Sequence, residues 1–281
     1  MKLIRFGEKG SEKPGVLYNG VRKDCSAHFS DWNHDFFQHN GLQQLRTLLD
    51  KEGDQLPTVA DDLRLGPCIA RPGMILCIGL NYSDHAKESG MDIPTEPILF
   101  MKPANTINGP NDPIAIPKNS TKTDWEVELG IIIGKDASYL ESEAEAEDYI
   151  AGYCVVNDIS ERAFQLEKGG QWVKGKAAPG FTPTGPQLVT KDEISDPTQL
   201  KMHLSVNGKT CQDGSSETMI FKPAFLVHYI SQFMLLEAGD LISTGTPPGV
   251  GLGMTPPTYL KAGDVVELTI EKLGSQRQEF I

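Results

Sequence analysis

The chain has no surplus of positive charge, no disulfide pattern and no apolar run of membrane length, and each lack removes a class of function. Of 281 residues, 38 are acidic and 26 basic, a formal charge of −12, which repels phosphate backbones and anionic membrane surfaces. Neither nucleic acid nor a membrane is therefore expected as a partner. The five cysteines, Cys25, Cys68, Cys77, Cys154 and Cys211, are odd in number, widely spaced and never form a Cys-x-x-Cys pair. Neither a disulfide framework nor a zinc knuckle fits, and they read as reduced packing residues. No segment approaches the roughly 20 apolar residues of a membrane span, and Met1 to Gly7 holds no apolar core of signal-peptide length. The expectation is a soluble cytoplasmic protein. A Gly-Lys-Ser/Thr phosphate loop is missing, as is a G-x-G-x-x-G turn that opens a helix after a strand, so no nucleotide motif is present. There is no repeat, low-complexity tract or heptad.

What is present is an ordinary globular composition, 39% hydrophobic, on a chain long enough to bury a full-sized core. Residues 2–6 and Val16 to Asp24 read as short strands, with Asn19-Gly20 as a two-residue hairpin turn. Asn40 is placed to cap a helix through Lys51 whose stripe is Leu42, Leu45 and Leu49, ended by Lys51-Glu52-Gly53. From Gln55 to Arg71 the chain is polar and turn-rich, which sets a boundary between a small N-terminal α/β unit, 1–68, and a larger body, 69–281. In that body Ser142 and Glu145 form a capping box for a short helix to about Ile150, followed by the apolar strand Ala151 to Asn157. Pro223 suits the first turn of a helix striped by Leu226, Tyr229, Ile230, Phe233 and Met234 and stopped by Ala238-Gly239. Strands at 203–206 (with Asn207-Gly208 as a second hairpin turn), 240–244 and 265–270 complete a strand-dominated body. The natural class is α+β with a large mixed sheet.

The stretch Thr123 to Gly134, TDWEVELGIIIG, carries the chemistry. Trp125 to Ile133 has the β-branched and aromatic content of a strand. Alternation puts Val127, Leu129 and Ile131 on one face and Glu126, Glu128 and Ile132 on the other. The two Glu Cβ atoms then lie roughly 6–7 Å apart, close enough for both carboxylates to lean onto one cation. The alternative is a solvated edge face. Asp158 closes the strand of VVNDIS, either as a turn cap or as a third oxygen ligand. Three carboxylates offer hard donors and no soft ones, which selects Mg²⁺, Mn²⁺ or Ca²⁺ over zinc or copper.

Two further clusters stand out. In NYSDHAKESG a helix capped by Ser83 or Asp84 would put His85 and Glu88 at i and i+3, either a surface pair or a carboxylate-oriented general base. Lys174 and Lys176 lie among glycines, prolines and apolar residues in WVKGKAAPGFTPTGP, where a lysine could hold an anion. The loop STGTPPGVGLG at 243–253 would expose backbone N–H groups able to grip a carboxylate, or would simply be a turn cluster at the sheet rim.

Taken together, GLNYSDHAKE (79–88), WEVELGIIIG (125–134), AGYCVVNDISERAFQ (151–165), WVKGK (172–176) and GDLISTGTPPGVG (239–251) resemble the fumarylacetoacetate hydrolase family across roughly residues 70–272. The resemblance implies a mixed β-roll catalytic domain, a homodimer, and Mg²⁺ or Mn²⁺ held by Glu126, Glu128 and Asp158. It implies also that His85 and Glu88 activate water, that Lys176 and Thr246 bind substrate oxygens, and that Arg162 and Gln165 reach the substrate. Many members carry an Asp three residues after the lysine, where this chain has Pro179; some add a carboxylate seven residues before the histidine, where it has Ile78. The three-carboxylate site of the smaller, acylpyruvase-like members is the expectation.

The activity so implied is metal-dependent hydrolysis of the C3–C4 bond of a 2,4-diketo acid to pyruvate and a carboxylic acid. Lys176 would stabilise the oxyanion at C4. By analogy the substrate would be a 2,4-diketo-3-deoxy sugar acid of the fuconate or rhamnonate type. The alternatives are oxaloacetate decarboxylation, ureidoglycolate lyase or hydroxyheptadienedioate isomerase activity, and a non-catalytic dimer that binds a metal or metabolite.

Overall fold

The computed structural model describes residues 1–84 and 92–281, so His85 and Glu88 lie outside the described residues. In chain order the strands are β1 Lys2–Phe6, β2 Lys13–Tyr18, β3 Val21–Asp24, β4 Ile75–Gly79, β5 Ile98–Lys102, β6 Ile107–Asn108, β7 Thr123–Asp124 and β8 Val127–Ile133. They continue as β9 Ile150–Asn157, β10 Ser160–Glu161, β11 Thr182–Thr190, β12 Lys201–Val206, β13 Lys209–Ser215, β14 Leu241–Ser243, β15 Val265–Ile270 and β16 Gly274–Glu279. The main sheet runs β3-β2-β1-β11-β9-β8-β14-β4-β5, with β6 also on β11; a second, antiparallel sheet runs β13-β12-β15-β16. The main sheet is mixed, since β14 pairs parallel with β4 and antiparallel with β8. This is the expected α+β class.

β8 sits in the middle of that sheet and all seven of its residues are buried, which rules out the solvated edge face. Alternation decides what each face meets. Val127, Leu129, Ile131 and Ile133 join a core with Leu204, Val266 and Leu268 of the second sheet and Leu226 and Ile230 of the helix Pro223–Ser231. Ile132, pointing the other way, packs with Leu45 and Leu49 of the helix Gly41–Glu52 and with Trp32. The main sheet is thus covered on both faces, each fully buried Leu or Ile contributing roughly 1.5–3 kcal/mol. The N-terminal strands are continuous with the rest, because β1 pairs with β11 at Lys2↔Val189 and Leu3↔Leu188.

Local signals behave mostly as read. Asn19 (φ 50°) and Gly20 (φ 79°) turn β2 into β3, as a type I′ hairpin demands of both central residues. The Ser142 hydroxyl accepts from Glu145 N. Asn40 differs: it adopts a left-handed φ of 58° and its side chain makes no cap bond, so it turns the chain into the helix Gly41–Glu52 rather than capping it. The helix from Pro223 also differs, ending at Ser231 instead of running on towards Ala238-Gly239, and Phe233 of the expected stripe is exposed. All five cysteines are free and four are buried. Among the described residues no helix is long and apolar enough to cross a membrane.

Candidate active site

The register of β8 and β9 builds the site. Val127 pairs with Asn157 and Glu128 with Val156, so one step further Glu126 faces Asp158, whose N–H donates to Glu126 O at 3.0 Å. Residues opposite each other across an antiparallel pair share a face. All three acids therefore emerge together, their nearest carboxylate oxygens within 4.8 Å of one another. They are 7%, 2% and 1% exposed for Glu126, Glu128 and Asp158, and they line a cavity of about 650 Å³.

Three cations serve two of these acids. Lys176 Nζ donates to Glu126 Oε2 at 2.7 Å and to Asp158 Oδ2 at 2.6 Å. Lys102, itself 1% exposed, donates to Asp158 Oδ1 and also to the carbonyls of Ile159 (3.1 Å) and Phe181 (2.6 Å). Arg162 donates through Nη2 to Glu126 Oε1 at 2.8 Å, through Nε to Asp124 Oδ2 at 2.8 Å and through Nη1 to Gln165 Oε1 at 3.0 Å. Burial alone would raise the Glu126 carboxyl, yet Arg162 and Lys176 hold it well below the usual range. Burial would likewise lower the Lys176 ammonium, yet Asp158 and Glu126 raise it.

Glu128 is different. Its Oε2 accepts from Ser243 Oγ (2.6 Å) and Gly245 N (2.9 Å), but among the described residues no cation lies within ion-pair reach of it. Burial, and then the charges of Asp158 and Glu126, push its carboxyl up to about 8. Gly245 is needed for this contact: it has φ +94°, and a Cβ there would stand 2.9 Å from Asn81 Cβ and 3.0 Å from Ile78 O. A cluster of hard oxygen donors with one uncompensated acid fits a divalent cation such as Mg²⁺ or Mn²⁺.

The remaining expected residues fall as follows. Arg162 and Gln165 stand at i and i+3 on the short helix Arg162–Leu166, which Glu161 caps through Phe164 N at 2.6 Å. Both line the cavity, as does Thr246, but the Thr246 hydroxyl donates to Val127 O (2.9 Å) and accepts from Gln212 Nε2 (2.8 Å). Lys176 is oriented by Glu126 and Asp158 with Pro179 in place. Lys174 points away and donates to Lys168 O. The loop at 243–253 does grip carboxylates, although they belong to the protein: Gly245 N holds Glu128, while Gly251 N and Leu252 N hold Asp124 at 2.7 and 3.0 Å.

Lys102 and Asp124 are the site residues that sequence reasoning missed. Asp124 was visible as a third acid in the alternating series 124, 126, 128. Lys102 ends the apolar run Ile98–Met101, a faint sign of a buried lysine.

Residues 74–281 match the family described as fumarylacetoacetate (FAA) hydrolase, C-terminal. The chain belongs to the fumarylacetoacetate hydrolase family. A Burkholderia multivorans protein named as a hydrolase, without a substrate, is 52% identical over 280 residues, covering 99% of this chain and 98% of its own. The fumarylacetoacetate hydrolase of psychrophilic Exiguobacterium antarcticum is 34% identical with a TM-score of 0.88, covering 100% of this chain and 99% of that one. The maleylpyruvate hydrolase of Sphingobium sp. SYK-6, solved with manganese(II) and pyruvate, is 25% identical with a TM-score of 0.83 over 100% and 99%. Family membership makes this chain one of a set of hydrolases and isomerases that act on keto acids.

Proposed function

We propose that the protein is a divalent-metal-dependent hydrolase that splits the C3–C4 bond of a 2,4-diketo acid into pyruvate and a carboxylic acid. The observation that carries this is the convergence of Glu126, Glu128 and Asp158 within 4.8 Å at the cavity. The manganese and pyruvate of the Sphingobium relative support it. A divalent ion held by these three acids would supply a Lewis acid for the oxygens of a 2-oxo acid.

The side chains do the rest. Lys176 Nζ lines the cavity beside Glu126 and Asp158 and would donate to the oxygen that becomes negative at C4. Arg162, fixed by Asp124 and Glu126, holds Gln165 by its Oε1, which leaves the Gln165 amide N–H₂ to donate to substrate. His85, held by Glu88, would take a proton from the attacking water; both assignments come from sequence alone. When C3–C4 breaks the electron pair stays on C3, which takes up a proton to give pyruvate.

The test measures pyruvate release from a panel of 2,4-diketo acids and from oxaloacetate, with Mg²⁺ or Mn²⁺ and then with EDTA. Metal-dependent release from diketo acids is expected. Release from oxaloacetate alone would replace hydrolysis by decarboxylation, and confirmed metal binding without any turnover would mark a binding protein.

A further inference from the structure

The same cavity also carries apolar side chains. Trp172 and Phe100 meet edge-on with centroids 5.3 Å apart, and Phe100 lies beside the ion site, its ring centre 5.1 Å from Lys176 Nζ. Trp172 is seated against Gly79, where a Cβ would fall 2.8 Å from Trp172 Cζ3. The loop after β14 adds Leu252 and Met254 to the lining, and Leu166, 46% exposed, belongs to it as well. Besides the Trp172 indole N–H, the polar side chains of the described lining are Arg162, Gln165, Lys176, Thr246 and Thr255 with the three acids; Arg162 and Lys176 bond to Glu126, Gln165 to Arg162 and Thr246 to Val127 O, which ties all but Thr255 to the ion site. The two lining cations are both tied to the ion-site acids, Lys176 to Glu126 and Asp158 and Arg162 to Asp124 and Glu126. A tail of several hydroxyls would lose hydrogen bonds to water along such a wall, and a second carboxylate would find no cation in the described lining beyond the two at the ion site.

From the aromatic pair Trp172–Phe100 and the aliphatic Leu252 and Met254 that line the same cavity we infer that the group leaving with C4 is an apolar acyl chain, alkyl or aryl, in place of the polyhydroxylated tail expected from the resemblance. This rests on the diketo-acid reading above, and it distinguishes this chain from enzymes whose substrates carry a second carboxylate.

The experiment uses the full-length protein loaded with Mn²⁺ and compares 2,4-dioxo acids that differ only beyond C4: a propyl, a trihydroxypropyl and a carboxyethyl tail. Pyruvate release should show kcat/KM at least about tenfold higher for the propyl compound, a difference of about 1.4 kcal/mol. In parallel, calorimetry reads the binding of uncleavable 2-oxo acids with the same tails, which reports tail selection whatever the reaction. Tighter binding of the propyl-tailed 2-oxo acid with no cleavage of any dioxo acid would leave the tail inference standing and remove the hydrolytic reading. Equal or better binding and cleavage of the hydroxylated or carboxylated compounds would overturn the inference and keep hydrolysis. Failure to bind or cleave any of them would overturn both. Leu252→Arg, at a position 39% exposed, supplies a cation at the wall and should raise affinity for the carboxylated 2-oxo acid about tenfold; no gain there would also count against the inference.

Discussion

Lys102→Met removes one ammonium from the centre of the molecule and keeps most of the apolar stem. The structure says what is lost: a charged donor to Asp158 Oδ1, and donors to the Ile159 and Phe181 carbonyls. Asp158 is 1% exposed and is left with Lys176 as its cationic partner. Losing that charged donor together with the donors to two buried carbonyls costs roughly 3–5 kcal/mol, the order of a broken buried ion pair. For a chain of this size each kcal/mol moves the midpoint by about 2–4 °C, so thermal unfolding in EDTA should begin roughly 6–20 °C lower than for the unaltered protein. A bound divalent ion would compensate Asp158, so saturating Mn²⁺ should recover part of that loss beyond the stabilisation it gives the unaltered protein. The assay is fluorescence-monitored melting of both proteins in EDTA and in Mn²⁺. A variant that melts within 2 °C of the parent in EDTA would show that Lys102 does not hold Asp158.

Other consequences are equally open to measurement. His85→Ala should lower pyruvate release by about 10²–10⁴-fold with Mn²⁺ affinity by calorimetry unchanged. Glu126→Gln removes a ligand and leaves Arg162 and Lys176 with less negative charge between them, so Mn²⁺ affinity should fall at least about tenfold by equilibrium dialysis, since even the loss of a group that only supports a ligand costs about 10–100-fold. Because burial and neighbouring acids push Glu128 up to about 8, the stripped protein holds a proton there at neutral pH that a metal must displace. Its Mn²⁺ affinity should therefore rise from pH 6 to pH 8 and flatten above, with proton release seen in unbuffered titration. Leu45→Ala, at a fully buried position between helix and sheet, should cost roughly 2–5 kcal/mol in urea unfolding without altering Mn²⁺ affinity.

What could be read in the sequence was local. Period-two alternation placed Glu126 and Glu128 together, and the capping box, the Asn-Gly turns and Pro223 marked their elements because each works within a few residues. β11 escaped because Pro183, Gly185 and Pro186 interrupt it. The strand accommodates them with a register shift between Gly185 and Val189, while pairing with β9 and β1. β4 and β5 are short apolar runs without alternation, buried or at the sheet edge, and periodicity is silent on these. The helix from Pro223 looked longer because Phe233 and Met234 continue the stripe of Leu226, Tyr229 and Ile230; in the structure Phe221, Phe225, Tyr229 and Phe233 follow one another at four-residue spacing. They form a ladder of rings 5.0–5.9 Å apart that continues past the last helical residue and leaves Phe233 exposed. Lys102 depends on Asp158, 56 residues away, and no local pattern reports such a pairing.

The most direct test is to crystallise the protein with Mn²⁺ and record anomalous scattering at the manganese edge. A single strong peak bonded to carboxylate oxygens of Glu126, Glu128 and Asp158 is the expected result. A peak held by other residues, or none at these three acids at saturating Mn²⁺, would contradict the metal site and with it the proposed chemistry.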